Sequence, residues 1–297
     1  MTSRGFNMRS LCAIAILGMA SSATQAGFII GSASNYAVLV EPSLHNVQLT
    51  SDSGVTGNVG VGSPVNSVGL SGGTIHGNVD FSGAQPSGGP NFGGTVTGTV
   101  ANNVAAVTSA LTTMNALNTT LGAESGTALI ISGSGQIINA SSGTLDGSGN
   151  EVFTVASNKF NNNSGGITIN GTASQFVVIN INNGNSNEKF NGAISLSGGI
   201  TSDHVLFNFV GTGGELGGAA NKAIANGIFL APNMKINVDA TTIDGRLIGG
   251  GSTTSNNDFQ IVSNAFVNAP VPEPSSAVLA TCGLLGLLAW RRCRCRR

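Results

Sequence analysis

The feature that most restricts the fold is a five-residue pattern that returns at a fixed interval: an apolar residue, any residue, glycine, any residue, an apolar residue. It appears as Val55-Thr56-Gly57-Asn58-Val59, Ile75-His76-Gly77-Asn78-Val79 and Val96-Thr97-Gly98-Thr99-Val100, and again as Ile243-Asp244-Gly245-Arg246-Leu247. The first three glycines stand 20 and 21 residues apart, a period that suits one coil of a solenoid in which every turn stacks on the last. Strand alternation places the two apolar residues and the glycine on one inward face, with Thr, Asn and His outward. The period fades after Val100. Longer, more buried strands are expected at 151–155, 175–182, 204–210, 228–230, 234–238 and 258–266, where apolar runs are separated by Gly, Asn and Ser clusters. Turns such as 182–185 (NNGN) favour positive φ, and asparagines stacked at corners can bond one coil to the next.

One segment breaks the alternation. Its apolar residues are Val100, Val104, Val107, Leu111, Met114, Leu117 and Leu121, spaced 4, 3, 4, 3, 3 and 4, which is a helical stripe. Asn102 and Asn103 are suited to cap its start and Gly122 its end. The spacing predicts a helix over about 100–121 that lies along the flank of the solenoid. Its other face holds Thr, Ser, Asn and Ala without a basic residue, which disfavours a membrane-surface helix.

Charge is scarce and partitioned. Only 8% of residues are charged, against roughly 25% in ordinary domains. Between positions 27 and 270 there are five basic residues, Lys159, Lys189, Lys222, Lys235 and Arg246, and twelve acidic ones, a net charge of −7. That stretch is unsuited to binding nucleic acid or anionic lipid. It also has no cysteine: Cys12 precedes it and Cys282, Cys293 and Cys295 follow, so neither a disulfide framework nor a thiolate metal site is available to it. The closing Cys293-Arg294-Cys295 reads as part of a basic stub rather than a metal pair.

Both ends of the chain read as addresses. Arg4 and Arg9 precede an apolar stretch at 11–19, too short to span a bilayer, and small residues up to Ala26 offer a cut, with Ala23 as the alternative. At the other end, Val271-Pro272-Glu273-Pro274 is followed by 16 uncharged residues, 275–290, and by Arg291, Arg292, Arg294, Arg296 and Arg297. A helix of that length is about 24 Å long against a hydrocarbon core of roughly 30 Å. Snorkelling arginines and an interfacial Trp290 extend its reach, and the arginine cluster fixes the C-terminus in the cytoplasm. The prolines hold Glu273 extended, without helix or sheet hydrogen bonds, just outside the membrane.

This order of parts resembles the PEP-CTERM sorting signal. The resemblance implies processing by exosortase, a membrane-embedded, transpeptidase-like enzyme, with removal of the tail and release or attachment at the surface. The body has resemblances of its own. Gly31-Ser-Ala-Ser-Asn-Tyr36-Ala-Val-Leu39 resembles the start of bacterial ice-binding-protein-like domains, which implies a discontinuous β-solenoid with one long flanking helix. Val205-Leu-Phe-Asn208-Phe, 228–233 (IFLAPN) and 243–249 (IDGRLIG) are similar to choice-of-anchor A domains, whose anchoring tails vary. Ice-binding members present regular threonine ranks, whereas Thr95, Thr97 and Thr99 form one row without successors at coil spacing.

Catalytic chemistry finds little support. Gly69-Leu-Ser71-Gly-Gly73 fits the nucleophile-elbow pattern but lacks a strand-elbow-helix context, so Ser71 reads as a turn residue. His45, His76 and His204 have no second histidine at metal-ligand spacing. Asp203 and His204 are adjacent, which on a strand sends them to opposite faces. Asp239 and Asp244 near Arg246 form the best carboxylate cluster for glycan cleavage, yet read more simply as a turn residue and a solvated ion pair. The segment 146–151 (DGSGNE) falls short of a calcium loop and reads as a turn.

The sequence therefore predicts a mainly β chain, a β-solenoid of parallel β-helix type with one long flanking α-helix. Its layout is a signal peptide at 1–26, an exported domain at 27–268 and a sorting segment at 269–297. The expected role is a non-enzymatic surface or matrix protein that needs no cofactor or metal. Its partners are the general secretory machinery, exosortase, the membrane before processing and extracellular polysaccharide, with no nucleic acid. An ice or crystalline-surface binder and a glycan-cleaving enzyme are the alternatives.

Overall fold

The repeated motif turns a corner. In the computed structural model, which describes residues 27–42, 46–50, 52–87, 91–156, 160–218, 223–251 and 259–269, Val55 ends up inside one strand, Gly54–Thr56, and Val59 inside the next, Asn58–Val61. Gly57 joins the two with φ 123°, and on the same corner Gly227 has φ 135°. A side chain there is excluded twice over, because a Cβ at Gly77 or Gly98 would overlap the glycine carbonyl of the coil below. The glycines are therefore corner residues that let coils approach, not inward strand positions as the alternation alone suggests.

A full coil has three sides. The helix side holds parallel strands in the spatial order Val100–Ala101, Val79–Phe81, Asn58–Val61, Tyr36–Val40, Thr242–Gly249, Ile224–Ala231, Val205–Phe209, Phe176–Ile181, Asn150–Val155 and Thr127–Leu129. The open side runs Thr95–Val96, Thr74–His76, Gly54–Thr56, Phe266–Asn268, the first halves of Thr242–Gly249 and Ile224–Ala231, Ile194–Ser197, Ile167–Asn170 and Gln136–Asn139. The third side runs Asn91–Phe92, Ser67–Ser71, Asn46–Thr50, Phe259–Val262, Lys235–Asp239, Glu215–Gly218 and Glu188–Phe190. The core between them is filled by stacked apolar side chains, including Phe160, Phe190, Phe207 and Phe229; the rings of Phe207 and Phe229 stack with centroids 4.9 Å apart.

The expected run at 258–266 is two strands on different sides. Ser263 and Asn264, at φ 56° and 63°, make the corner between them. Corner asparagines bond adjacent coils, as expected: Asn183 Oδ1 accepts the Gly211 amide at 2.8 Å, and Asn58 Oδ1 accepts the Asn78 amide at 2.9 Å.

The stack is discontinuous. Tyr36–Val40 enters in the middle, between Asn58–Val61 and Thr242–Gly249. The chain winds to one end at Val100–Ala101, crosses by the helix Ala105–Gly122, and winds back from Thr127–Leu129. An 18-residue helix is about 27 Å long, enough to cross six strands at about 4.8 Å spacing. Its buried face, Val107, Ala110, Leu111, Met114 and Leu121, packs on residues of six strands, among them Leu39, Ile248, Ile228, Leu206, Val178 and Val152. Tyr36–Val40 and Val205–Phe209 are buried throughout, because the core lies under them and the helix over them.

The helix starts later than its stripe implied. Val100–Ala101 still pairs with Val79 and Asp80 as the last strand of its arm, and Asn103, at φ 55°, turns the chain. Val104 is the N-cap residue and no side chain caps it; Gly122 is the last helical residue rather than the cap.

Polar groups also fasten the helix. Asn118, buried on its inner face, donates to Asn208 Oδ1 at 2.7 Å and to the Phe209 carbonyl at 2.9 Å. Asn208 donates to Asn180 Oδ1 at 2.8 Å, and Asn180 to the Leu121 carbonyl at 2.6 Å. Nearby, Glu41 is only 7% exposed and Asn115 donates to it. Burial pushes its carboxyl up to about 7, opposed by the Asn115 hydrogen bond.

Two outcomes follow. Asn208→Leu keeps the number of side-chain heavy atoms but is bulkier and takes the donor from Asn180 Oδ1, and is expected to cost about 2–3 kcal/mol in urea unfolding. Because the folded carboxyl of Glu41 holds its proton more tightly than the unfolded one, the protein should lose stability as pH rises from about 4.5 to about 7. Glu41→Gln should flatten that slope and stabilise the protein at pH 8, by on the order of 3 kcal/mol at most.

Candidate functional site

The body's single arginine is not where the carboxylate cluster needed it. Arg246 follows the Gly245 corner, so its side chain enters the helix side, where it is 2% exposed. Its Nη1 donates to the Tyr36 carbonyl at 2.9 Å and its Nη2 lies 3.4 Å from Asp203 Oδ1, an ion pair whose geometry falls outside a hydrogen bond. Burial pushes the guanidinium pKa down, while Asp203 pulls it back up. Asp244 points out from the open side and Asp239 ends a strand of the third side. The solvated pairing expected of these residues is replaced by a buried link between the first strand and the late coils.

Asp203 and His204 do share a site. They lie in the 3-10 turn Ser202–His204, not on a strand, so they are not forced to opposite faces. With Phe28, Phe176 and Arg246 they line a shallow cavity of about 410 Å³. His204 stacks on Phe176 with ring centroids 4.1 Å apart, and Phe28 meets the same ring edge-on at 5.5 Å. The Phe28 amide donates to Asn150 Oδ1 at 2.8 Å. These contacts hold the start of the described chain against the helix side.

The other sequence candidates are turns and strand ends. Ser71 closes the strand Ser67–Ser71 beside Gly72, at φ 83°, and no helix follows. Asp146 accepts from the amides of Ser148 and Asn150 at 2.9 and 2.7 Å, an Asx turn closing a hairpin. His76 is exposed on the open side; His45 lies outside the described residues. Among the described residues no three His, Cys, Asp or Glu side chains gather to hold a metal. Among them, too, no helix is long and apolar enough to cross a membrane. The sorting residues Val271, Pro272, Glu273 and Pro274, and Trp290, Arg291, Arg292, Arg294, Arg296 and Arg297, lie outside the described residues, as do the expected leader and span.

The open side is a broad surface that the helix leaves uncovered. One outward row reads Ile137, Thr168, Ser195, Asn226, Asp244, Asn268, Thr56 and His76. A second reads Ile224, Thr242, Phe266, Gly54, Thr74 and Thr95. Thr95 thus has a threonine successor, Thr74, one coil on, contrary to the reading of an isolated row. The rank ends at Gly54. Near the far end, Asn170 donates to Asn139 Oδ1 at 2.9 Å and accepts from Ser197 Oγ at 3.1 Å, a polar ladder across three coils.

Similarity to known proteins agrees with this architecture. An ice-binding protein from an Arctic yeast, whose structure is described as the basis for antifreeze activity, is 17% identical, with a TM-score of 0.52 over 84% of this chain and 98% of that one. An ice-binding protein from an Antarctic Flavobacteriaceae bacterium is 17% identical, with a TM-score of 0.50 over 85% of this chain and 51% of that one. At these identities the likeness shows the fold, a mostly parallel β-solenoid with one helix. No curated protein matches in sequence. Residues 270–294 match the PEP-CTERM protein-sorting motif, which marks an exported protein that passes through the membrane and implies processing by exosortase. Residues 14–261 match the ice-binding-like adhesive domain, and the chain belongs to that family.

Proposed function

We propose that this is an exosortase-processed protein of the cell surface or extracellular matrix, with a non-enzymatic structural or adhesive role in which the solenoid binds extracellular polysaccharide. The observation that carries this reading is the presence of an adhesive-family solenoid and a PEP-CTERM motif on one chain. In this reading the leader at 1–26 engages the general secretory machinery, 27–268 is the working domain and 269–297 is the address. Val271-Pro272-Glu273-Pro274 is the segment the enzyme grips, kept extended by its prolines. Residues 275–290 span the membrane, Trp290 sits at the interface, and the arginines from Arg291 to Arg297 stay in the cytoplasm. The open side, polar and uncovered over many coils, suits a long ligand held by many weak contacts.

Binding to ice or another crystalline surface is the second reading, favoured by the fold shared with ice-binding proteins. A lattice match asks for like groups at even spacing. The outward rows here mix Thr, Ser, Asn, Asp, His, Ile and Phe, which weighs toward the polysaccharide.

In cells with a working exosortase, mass spectrometry of the mature protein is expected to find the arginine cluster at 291–297 removed. Glu273→Ala should leave it in place and hold the protein in the membrane fraction; a secreted wild-type product with the cluster intact would overturn the sorting assignment. Purified mature protein is expected to show no thermal hysteresis, and a clear gap between melting and freezing points would favour the ice reading.

A further inference from the structure

The open side carries one phenyl ring among outward residues that are mostly polar, Ile137 and Ile224 being the other large apolar side chains exposed in its two rows. Phe266 is 40% exposed and sits in the outward row between Thr242 and Gly54. Gly54 is what lets the ring lie down: a Cβ there would meet Phe266 Cδ1 at 3.3 Å and Cε1 at 3.4 Å. The ring therefore rests across the neighbouring coil, covering Gly54, with its outer part open to solvent. Burial in the core would have been the ordinary fate of such a side chain.

A cavity of about 530 Å³ opens beside the ring. The turns that precede Gly54–Thr56 and Phe266–Asn268 supply Asp52 and Asn264 to its wall, both held at φ 63°. Thr74, Thr56 and His76, from the next positions of the two outward rows, and Ser53 add to the polar lining. Acceptors and donors thus stand around an apolar ring. Among the described residues, no lysine or arginine lines the cavity.

We propose that this is a glycan subsite that takes a neutral pyranose unit within a polysaccharide chain, and the proposal rests on the polysaccharide reading above. A pyranose has an apolar face of axial C–H groups, which stacks on an exposed ring, and a rim of hydroxyls that both donate and accept. Asp52 and Asn264 offer a carboxylate and an amide for adjacent hydroxyls, and the threonines offer either role. The missing cation excludes an acidic sugar, a phosphate or a nucleic acid as the preferred occupant, in keeping with the body's net charge of −7. An open cavity on a flat side admits a chain passing across it rather than a small molecule enclosed by it.

The test is affinity gel electrophoresis of the mature exported protein through hydroxyethylcellulose, xyloglucan, laminarin, dextran and alginate, and through the extracellular polysaccharide of the producing cells. Retardation by at least one neutral polymer is expected, with Phe266→Ala weakening it about tenfold or more and Asp52→Asn weakening it as well. Phe266→Trp should keep it, and Thr168→Ala, on the far part of the same side, should leave it unchanged. Thermal unfolding should be close to wild type for every variant, since both Phe266 and Asp52 reach the surface. Wild-type retardation that survives Phe266→Ala and Asp52→Asn would overturn the subsite and leave the polysaccharide reading standing. Binding confined to alginate would overturn the neutral-sugar assignment. No retardation by any polymer, the producer's own included, would overturn both.

Discussion

The structure depends on one seam. Tyr36–Val40 is the first strand among the described residues, yet it lies inside the stack, with Val38, Leu39 and Val40 in register with Leu247, Ile248 and Gly249 on one edge and with Val59, Gly60 and Val61 on the other. The second pairing is local and closes a loop of about twenty residues; the first joins segments some two hundred residues apart. Loop-closure entropy makes the distant pairing the costly one. The fold concentrates specific contacts there: the Glu41 amide bonds the Gly249 carbonyl at 2.9 Å, and Arg246 reaches the Tyr36 carbonyl. A buried guanidinium is a poor source of net stability, but it is selective about position, since no other strand presents it with the same carbonyl and carboxylate.

The helix follows from that seam. A chain that starts in the middle and finishes one arm must travel to the far end before it winds back, and the helix makes the journey while covering apolar strand faces that would otherwise meet water. The stacked Asn180 and Asn208 then set its position along the stack, because only one register satisfies Asn118, Asn208 and Asn180 together.

Much of this was legible in the residues. Val55, Ile75 and Val96 sit at identical places in successive coils, as their spacing implied, and the stripe from Val107 to Leu121 is the buried face of the helix. The glycine corner was not legible, because alternation continues through a bend as it does through a strand. Nor was the strand break at Ser263 and Asn264, since non-glycine residues at positive φ leave no mark beyond a mild preference for Asn. Arg246 could be noticed but not placed: its partners lie 43 and 210 positions away, and nothing local to Gly245-Arg246-Leu247 names them. Phe266 read as the close of an apolar run, whereas only the packing of a neighbouring coil's Gly54 reveals why its ring is outside.

The entry of Tyr36–Val40 and the last described strand, Phe266–Asn268, lie on neighbouring coils near the waist of the stack. Three strands of the helix side lie beyond the waist one way and six the other. A tether continuing from Asn268 would hold such a body like a crossbar, with two unequal arms projecting sideways. Tension between the two ends of the domain would load the waist and spare both arms, and an extra coil duplicated within either arm would lengthen that arm without moving the point of attachment.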